Sequence, residues 1–196
     1  IRSLPMIYLD NNATTPIASE VIAAMTDVIT NVHGNPSSAH AAGAVAREVI
    51  ETARADVAAL VGAERPDEIV FTSSGTESDN WAIFGAALIR SEKRHIITTT
   101  VEHEAVRKPI ESLERRGYRV SRVEVDIDGR LSVDKLASLI DADTFLVSVM
   151  LANNETGILF PVDAIGRVIK ERSNALFHVD AVNAAGKVPI DVRKAS

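Results

Sequence analysis

The side chains with the most useful chemistry fall in four short polar clusters, each of which follows an apolar run of the chain. The clusters are residues 73–77, Glu102 with His103, residues 153–155, and Asp180 with the nearby Asn183. They offer hydroxyl groups, an imidazole, side-chain amides and carboxylates. Such groups can bind an anion, move a proton near neutral pH and hold a polar ring, provided that the fold brings them together.

The apolar pattern between these clusters alternates between helical and extended periodicity. It predicts helices at residues 19–29, 44–61, 76–91, 104–116, 132–140 and 161–172, and strands at residues 68–72, 96–100, 120–125, 145–150 and 176–179. Strands that alternate with helices form βαβ units, with a mainly parallel sheet covered on both faces. The predicted fold class is therefore α/β, with three α/β/α layers. Ligands of such sheets gather at the carboxyl ends of the strands, where the four clusters lie.

The first cluster places Ser74, Gly75 and Thr76 where a predicted helix begins. Helix-initial N–H groups, hydroxyls and a glycine that permits close approach suit a phosphate group. The alternative is a helix N-cap with no ligand, because serine and threonine are common there for capping alone. No lysine follows the glycine, so the nucleotide P-loop pattern is absent.

The other clusters allow the same pair of interpretations. His103, at a strand-to-helix junction, can stack on a ligand ring and transfer protons, or it can cap the helix. Residues 153–155 can supply an amide from Asn154 to a ligand oxygen, or they can form a turn. Asp180 follows an apolar strand, where a carboxylate is costly unless it meets a cation, a metal or several donors. The protonated ring nitrogen of a cofactor would serve, as in enzymes that use pyridoxal 5'-phosphate (PLP).

Composition limits the class of protein. The 196 residues suffice for one domain or slightly more, and the net charge of −6 argues against a protein that binds nucleic acid through bulk positive charge. No apolar run approaches a membrane span and the first residues lack a signal peptide, so we expect a soluble, cytoplasmic protein with no membrane partner. Cysteine is absent, and the spacing of His33 and His40 does not match helical metal-ligand spacing, so no metal site is expected.

Six ordered motifs then resemble a known family, the amino-terminal half of NifS/IscS-type cysteine desulfurases of the class V aminotransferase group. The motifs are residues 9–16, 34–38, 72–78, 101–103, 152–157 and 178–183, which read LDNNATTP, GNPSS, TSSGTES, VEH, ANNETG and HVDAVN. The resemblance spans nearly the whole chain from Met6. It implies the large domain of the fold type I PLP-dependent transferases, truncated on its C-terminal side, as residues 13–196. Residues 1–12 would then reach towards the small domain.

The resemblance also implies an activity: PLP-dependent removal of sulfur from L-cysteine, which gives L-alanine and an enzyme persulfide for iron–sulfur cluster assembly. Gly75 and Thr76 would hold the cofactor phosphate, His103 would stack on the ring and assist proton transfer, and Asp180 would pair with the ring nitrogen. Asn154 would contact a ring-side or substrate oxygen. Asn183 stands where the family usually has glutamine, which puts its reach to the phenolic oxygen in question.

By the same resemblance, the enzyme would be a homodimer that passes sulfur to an acceptor or iron–sulfur scaffold protein. The family's Schiff-base lysine segment and persulfide cysteine have no counterpart in residues 1–196, so this piece alone is expected to be inactive. Two alternatives stay open. One is a selenocysteine lyase or another class V relative, and the other is a non-catalytic binding or scaffold domain.

Overall fold

The computed structural model describes residues 7–194, which fall into two compact units. One unit comprises the residues up to Leu60 together with Glu64–Ile69, and the other comprises Val61–Ala63 and the residues from Val70 onward. The predicted N-terminal segment, residues 1–12, lies partly outside the described residues, and its role towards a small domain stays a prediction.

The first unit is helical. It contains α1 (Ser19–Asn31), nearly all of α2 (Ala41–Val61) and a 3₁₀ turn at Pro66–Glu68. Helix α1 has no buried residue, and its apolar side chains are exposed. The loop before α2 is held by Arg47, whose guanidinium donates to the carbonyl oxygens of Pro36 and Ser38. These contacts fix the polar segment 34–38 against α2.

The second unit contains a sheet of four strands within the described residues. The strands are β1 (His95–Thr99), β2 (Arg119–Val123), β3 (Thr144–Ser148) and β4 (Leu176–His178). Their spatial order is β2-β1-β3-β4, and every pairing is parallel. The predicted parallel α/β sheet is thus confirmed. All five residues of β1 and of β3 are buried, as expected for central strands covered on both faces.

Four helices cover the two faces of this sheet: α3 (Gly75–Ile89), α4 (Glu104–Arg115), α5 (Val133–Leu139) and α6 (Val162–Arg172). Successive strand residues point to opposite faces, and Ile96 and Ile97 illustrate this alternation. Ile96 packs with α3 and α4 residues such as Ile83 and Ile110, whereas Ile97 packs with α5 and α6 residues such as Leu136 and Ile165. These two cores define the predicted three α/β/α layers.

One predicted strand is wrong. Residues 69–72 are irregular, although the run Ile69 to Thr72 is apolar and β-branched. Val70 and Phe71 are exposed, and no strand pairs with them within the described residues. Because a strand is stabilised by its ladder of hydrogen bonds to a neighbour, apolar sequence alone does not form one. The polar cluster that follows still begins a helix.

None of the helices in residues 7–194 combines the length and hydrophobicity that crossing a bilayer requires.

Candidate functional site

Three of the four polar clusters follow β1, β3 and β4, which are adjacent and parallel. Their carboxyl ends therefore lie at one edge of the sheet. The fourth cluster starts α3, which packs against β3 and β4. The fold thus brings to one edge the clusters that the sequence places far apart.

Helix α3 begins as the sequence predicts. Ser74 is its N-cap, and the Ser74 Oγ accepts a hydrogen bond from the Glu77 N–H at 3.2 Å. The Glu77 carboxylate folds back onto Ser73, accepting from its N–H at 2.6 Å and from its hydroxyl at 2.7 Å. These bonds, the side-chain one foremost, lower the pKa of Glu77. Because the Ser73 N–H and hydroxyl already donate to the Glu77 carboxylate, an anion at this helix start would be bound by Gly75 and Thr76.

Gly75 has a specific packing role at this helix start. A Cβ atom at position 75 would lie 2.7 Å from the Cγ2 atom of Val182. Val182 in turn donates its N–H to Asp180 Oδ1 at 3.0 Å. The first residue of α3 therefore lies directly against the loop that carries Asp180.

Asp180 is buried, with 8 % of its surface exposed. Burial raises the pKa of its carboxyl group above the ordinary value, the Val182 hydrogen bond opposes this, and the carboxylate of Asp79 adds to it. Its backbone carbonyl accepts from the Leu151 N–H at 2.8 Å, which extends the β3–β4 ladder to this residue. A buried carboxylate of this kind is stabilised by a cationic partner.

Glu102 is a second buried carboxyl group at this edge, and sequence reasoning assigned it no role of its own. It is 9 % exposed, and its Oε1 accepts from the Thr99 hydroxyl at 2.6 Å and from the Met150 N–H at 3.2 Å. Its Oε2 is buried and has no hydrogen-bond partner among residues 7–194. Burial raises the pKa of Glu102 to about 7, and the charges of Asp180 and Asp79 add to the effect.

His103 lies at the start of α4 and is exposed. Its Nδ1 accepts a hydrogen bond from the Ala105 N–H at 3.1 Å, so the capping interpretation of this residue is correct. Capping and ligand binding are compatible here. An Nδ1 that accepts leaves Nε2 as the nitrogen that carries the ring proton, and it fixes the orientation of the imidazole.

The turn after β3 is built by Asn153 and not by Asn154. The Asn153 Oδ1 accepts from the N–H groups of Glu155 and Thr156 at 3.0 and 2.9 Å, and its Nδ2 donates to the Val101 carbonyl at 3.3 Å. Asn153 is buried, and Asn154 is half-buried beside it. Asn153 therefore serves the turn, and Asn154 remains the candidate for ligand contact.

Asn183 is half-buried and bound on both sides of its amide. Its Nδ2 donates to the Asn153 carbonyl at 3.4 Å, and its Oδ1 accepts from Lys187 Nζ at 2.7 Å. The first bond links the segment after β4 to the turn after β3. The second places a lysine amine beside a candidate cofactor-binding residue, although Lys187 lacks the sequence context of a cofactor lysine.

Two further groups, the buried Asp79 and the half-buried His178, escaped the sequence reasoning. Asp79 on α3 and His178 on β4 lie in contact, and Ser148 on β3 bonds the other ring nitrogen of His178. His178 is marked in the sequence by its position between apolar strand residues, whereas Asp79 stands within a polar run and has no such signal. Within residues 7–194, no cluster of three or more His, Cys, Asp or Glu residues could hold a metal ion.

Comparison with known proteins identifies the class. The family described as aminotransferase class-V matches residues 7–196, and the chain belongs to this family. More narrowly, it is homologous to the N-terminal part of the NifS/IscS cysteine desulfurases. It is 50 % identical over 190 residues to a cysteine desulfurase of Trichormus azollae, which covers 97 % of this chain and 47 % of that protein. It is 46 % identical over 190 residues to the cysteine desulfurase NifS of Azotobacter vinelandii, with the same coverage of 97 % and 47 %.

Solved structures agree with this assignment. A NifS-like protein matches with a TM-score of 0.92 and 42 % identity, over 97 % of this chain and 52 % of that one. SspA in complex with cysteine matches with a TM-score of 0.91 and 36 % identity, over 96 % of this chain and 54 % of that one. The chain thus spans about half the length of the relatives it matches.

The family uses PLP, and the residues of this edge fit that cofactor. The start of α3 offers N–H groups and the Thr76 hydroxyl to a phosphate, and its first residue, Gly75, packs directly against Val182. Asp180 is a buried carboxylate whose hydrogen bonds leave room for a cationic donor, which a protonated pyridine nitrogen provides. Val182 contacts both the start of α3 and Asp180, so the fit of this edge to PLP rests on these two groups together.

Proposed function

We propose that this chain is the amino-terminal part of a PLP-dependent cysteine desulfurase. The reaction transfers the sulfur of L-cysteine to an enzyme thiol, which yields L-alanine and an enzyme persulfide for iron–sulfur cluster assembly. The observation that carries the proposal is the buried Asp180 carboxylate beside the start of α3, within a chain 50 % identical to a cysteine desulfurase.

Each residue of the edge then has a role. When bound, PLP supplies an electron sink that stabilises negative charge on the substrate. The N–H groups of Gly75 and Thr76 bind the phosphate, and Asp180 holds a proton on the ring nitrogen. His103 covers the ring face, and its Nε2 moves a proton to or from the substrate. The amides of Asn154 and Asn183 bind oxygen atoms at the side of the ring.

The shorter Asn183 is supported by its neighbours in this role. Its bonds to the Asn153 carbonyl and to Lys187 fix the orientation of its amide. Its Oδ1 is occupied by the lysine, so a ligand oxygen would be bound by the Nδ2 group. We infer that Asn183 replaces the family's glutamine with a shorter but positioned donor.

The assay of the complete protein separates this function from its rivals. The protein that carries this chain is loaded with PLP and given L-cysteine or L-selenocysteine under single-turnover conditions, and alanine and protein-bound persulfide are measured. A desulfurase forms alanine and persulfide in equal amounts from cysteine. Alanine from selenocysteine alone indicates a selenocysteine lyase, and PLP binding without either product indicates a binding domain.

Lys187 requires its own control, because its amine lies beside Asn183. Borohydride reduction of the 196-residue chain with PLP, followed by peptide mass analysis, shows whether a lysine of this chain is labelled. We expect no adduct on Lys187 or Lys194, since the family's cofactor lysine belongs to a segment with a different motif. A stoichiometric adduct on Lys187 that is lost in Lys187→Arg would refute this part of the proposal.

The proposed partners are a second copy of the protein and a sulfur-acceptor or iron–sulfur scaffold protein, and the proposed location is the cytoplasm. The exposed apolar side chains of α1, such as Ile22, Met25 and Ile29, support association. Light scattering on the complete protein tests the homodimer, and a monodisperse monomer at micromolar concentration would exclude it.

A further inference from the structure

Three polar side chains that contact one another, Asp79, His178 and Ser148, lie beneath the candidate site. His178 Nε2 is 3.3 Å from Asp79 Oδ1, and His178 Nδ1 is 2.8 Å from Ser148 Oγ. Asp79 is 4 % exposed and Ser148 is fully buried. Burying a carboxylate and a hydroxyl is costly unless each has a polar partner, and the half-buried imidazole of His178 contacts both of them.

The contacts among Asp79, His178 and Ser148 join α3, β4 and β3, the three elements that carry the site. Asp79 lies one helical turn after Gly75 on α3, so its position is fixed relative to the phosphate-binding start of the helix. His178 lies two residues before Asp180 and therefore points to the same side of the strand. The hydrogen bonds from Val149 to His178 and from Leu151 to Asp180 keep this register between β3 and the end of β4.

Electrostatics gives the histidine a second effect. Asp79 and Asp180 are both buried carboxylates, and the Asp79 charge raises the pKa of Asp180 whereas His178 lowers it. His103 from the start of α4 also lowers this pKa, and Glu102 from the β1–α4 loop is the remaining acidic neighbour. The His178 Nε2 lies 3.3 Å from Asp79 Oδ1, so the histidine offsets the carboxylate that most directly opposes ionisation of Asp180.

We propose that Asp79, His178 and Ser148 form a positioning unit that fixes the separation between the phosphate-binding start of α3 and Asp180. The inference rests on the proposed PLP site, and it assigns to these residues no contact with the cofactor. The unit acts through the two ends of the site. Its loss should weaken cofactor binding because phosphate and ring nitrogen could no longer be held at once with full strength.

The structure supplies a matched control for this proposal. His95 is also a buried strand histidine bonded to hydroxyl and carboxyl groups: its Nδ1 is 2.8 Å from Thr144 Oγ1 and 3.3 Å from Asp141 Oδ1, and its Nε2 is 2.9 Å from Ser121 Oγ. It lies at the start of β1, at the opposite end of the sheet. His95→Gln and His178→Gln therefore each remove the polar contacts of a strand histidine, His95 being the more buried of the two, and only His178 lies under the site.

The experiment measures the dissociation constant of PLP for the complete protein by absorbance titration. We expect His178→Gln to raise this constant about 10- to 100-fold and Ser148→Ala to raise it less, whereas His95→Gln changes it less than threefold. Thermal unfolding of each variant without PLP reports stability separately. If His178→Gln does not fold, Ser148→Ala alone decides, and an unchanged dissociation constant there overturns the proposal.

A double-mutant cycle distinguishes positioning from a general loss of packing. The effect of Asp180→Asn on PLP affinity should shrink in the His178→Gln background, because the carboxylate is already displaced there. The positioning role would be contradicted if the effects of Asp180→Asn and His178→Gln on PLP affinity were additive. It would also be contradicted if His95→Gln and His178→Gln lost PLP affinity equally. Absence of PLP binding in the wild-type protein would instead refute the proposed function itself, so the two failures are distinguishable.

Discussion

Gly75 lies so close to Val182 that any side chain at position 75 would contact the Val182 Cγ2 atom. This contact joins the start of α3 to the loop after β4, because the Val182 N–H also bonds the Asp180 carboxylate. The two ends of the proposed cofactor site are therefore mechanically linked. A change at either residue should be transmitted to the other.

The first prediction tests this link with a compensating pair. Gly75→Ala places a methyl group 2.7 Å from Val182 Cγ2, so Val182 and its loop must shift. We expect PLP affinity to fall about three- to tenfold in Gly75→Ala and to recover in Gly75→Ala with Val182→Ala, as measured by absorbance titration. If Gly75→Ala and the double variant bound PLP with equal affinity, the contact between position 75 and Val182 would have no effect on cofactor binding.

The second prediction concerns the charge of Asp180. In the complete protein, Asp180→Asn should lower alanine formation about 10- to 100-fold, since it removes a charged hydrogen bond worth roughly 1.5–3 kcal/mol. Because burial raises the pKa of Asp180, the ionised group destabilises the fold as pH rises above the ordinary value of 3.8. The free energy of unfolding of Asp180→Asn at neutral pH should therefore be no lower than that of the wild type.

Asp163→Asn is the control for that experiment, because Asp163 lies exposed at the start of α6. It should change neither alanine formation nor stability appreciably. If Asp180→Asn lost folded protein but kept its turnover per folded molecule, Asp180 would be a structural residue.

Much of the fold could be predicted because its strongest signals are local. Strands β1 and β3 are centred on short apolar runs, Ile96–Ile97 and Phe145–Val147, and α4 begins at a capping His103, so each follows from its own residues. Residues 69–72 carried the same apolar signal but lack a partner strand within the described residues. Pairing depends on distant segments, and a local pattern does not contain it.

The candidate site likewise contains residues that local sequence could predict and residues that it could not. Asp180 and the start of α3 could be predicted because each occupies a strand end or helix start. The hydrogen bond from Met150 to Glu102 and the contact of His178 with Asp79 join residues 48 and 99 positions apart, so they depend on sheet order and register. No spacing rule in the sequence reveals such pairs.

The third prediction uses Glu102, whose pKa is raised to about 7. The folded chain keeps this proton while the unfolded chain releases it near 4.5, so the free energy of unfolding should fall as pH rises from 4.5 to 7. At 1.36 kcal/mol per pKa unit, the full cost is about 3 kcal/mol. Denaturant unfolding should show that Glu102→Gln removes this decline, whereas the exposed-site variant Glu124→Gln retains it. A pH profile identical to wild type in Glu102→Gln would rule the assignment out.

The fourth prediction has the opposite sign. Burial lowers the pKa of His95, and the charge of Arg119 acts the same way while Asp141 opposes it. The unfolded chain takes up a proton near pH 6.5 before the folded chain does, so the His95 contribution to stability is lost as pH falls below 6.5. In denaturant unfolding at a series of pH values, His95→Gln should remove this decrease in the free energy of unfolding below pH 6.5. His33→Gln, at an exposed position, should leave the decrease in place. An unaltered slope in His95→Gln would contradict the role of the buried imidazole.

The most direct test of the account is a crystal structure of the complete protein with PLP bound. We expect the ring nitrogen within 2.6–3.0 Å of an Asp180 carboxylate oxygen, as a charge-assisted hydrogen bond requires, and the phosphate on the N–H groups of Gly75 and Thr76. The imidazole of His103 should lie over the ring. A phosphate bound away from the start of α3, or a ring nitrogen that faces a group other than Asp180, would contradict the proposed site.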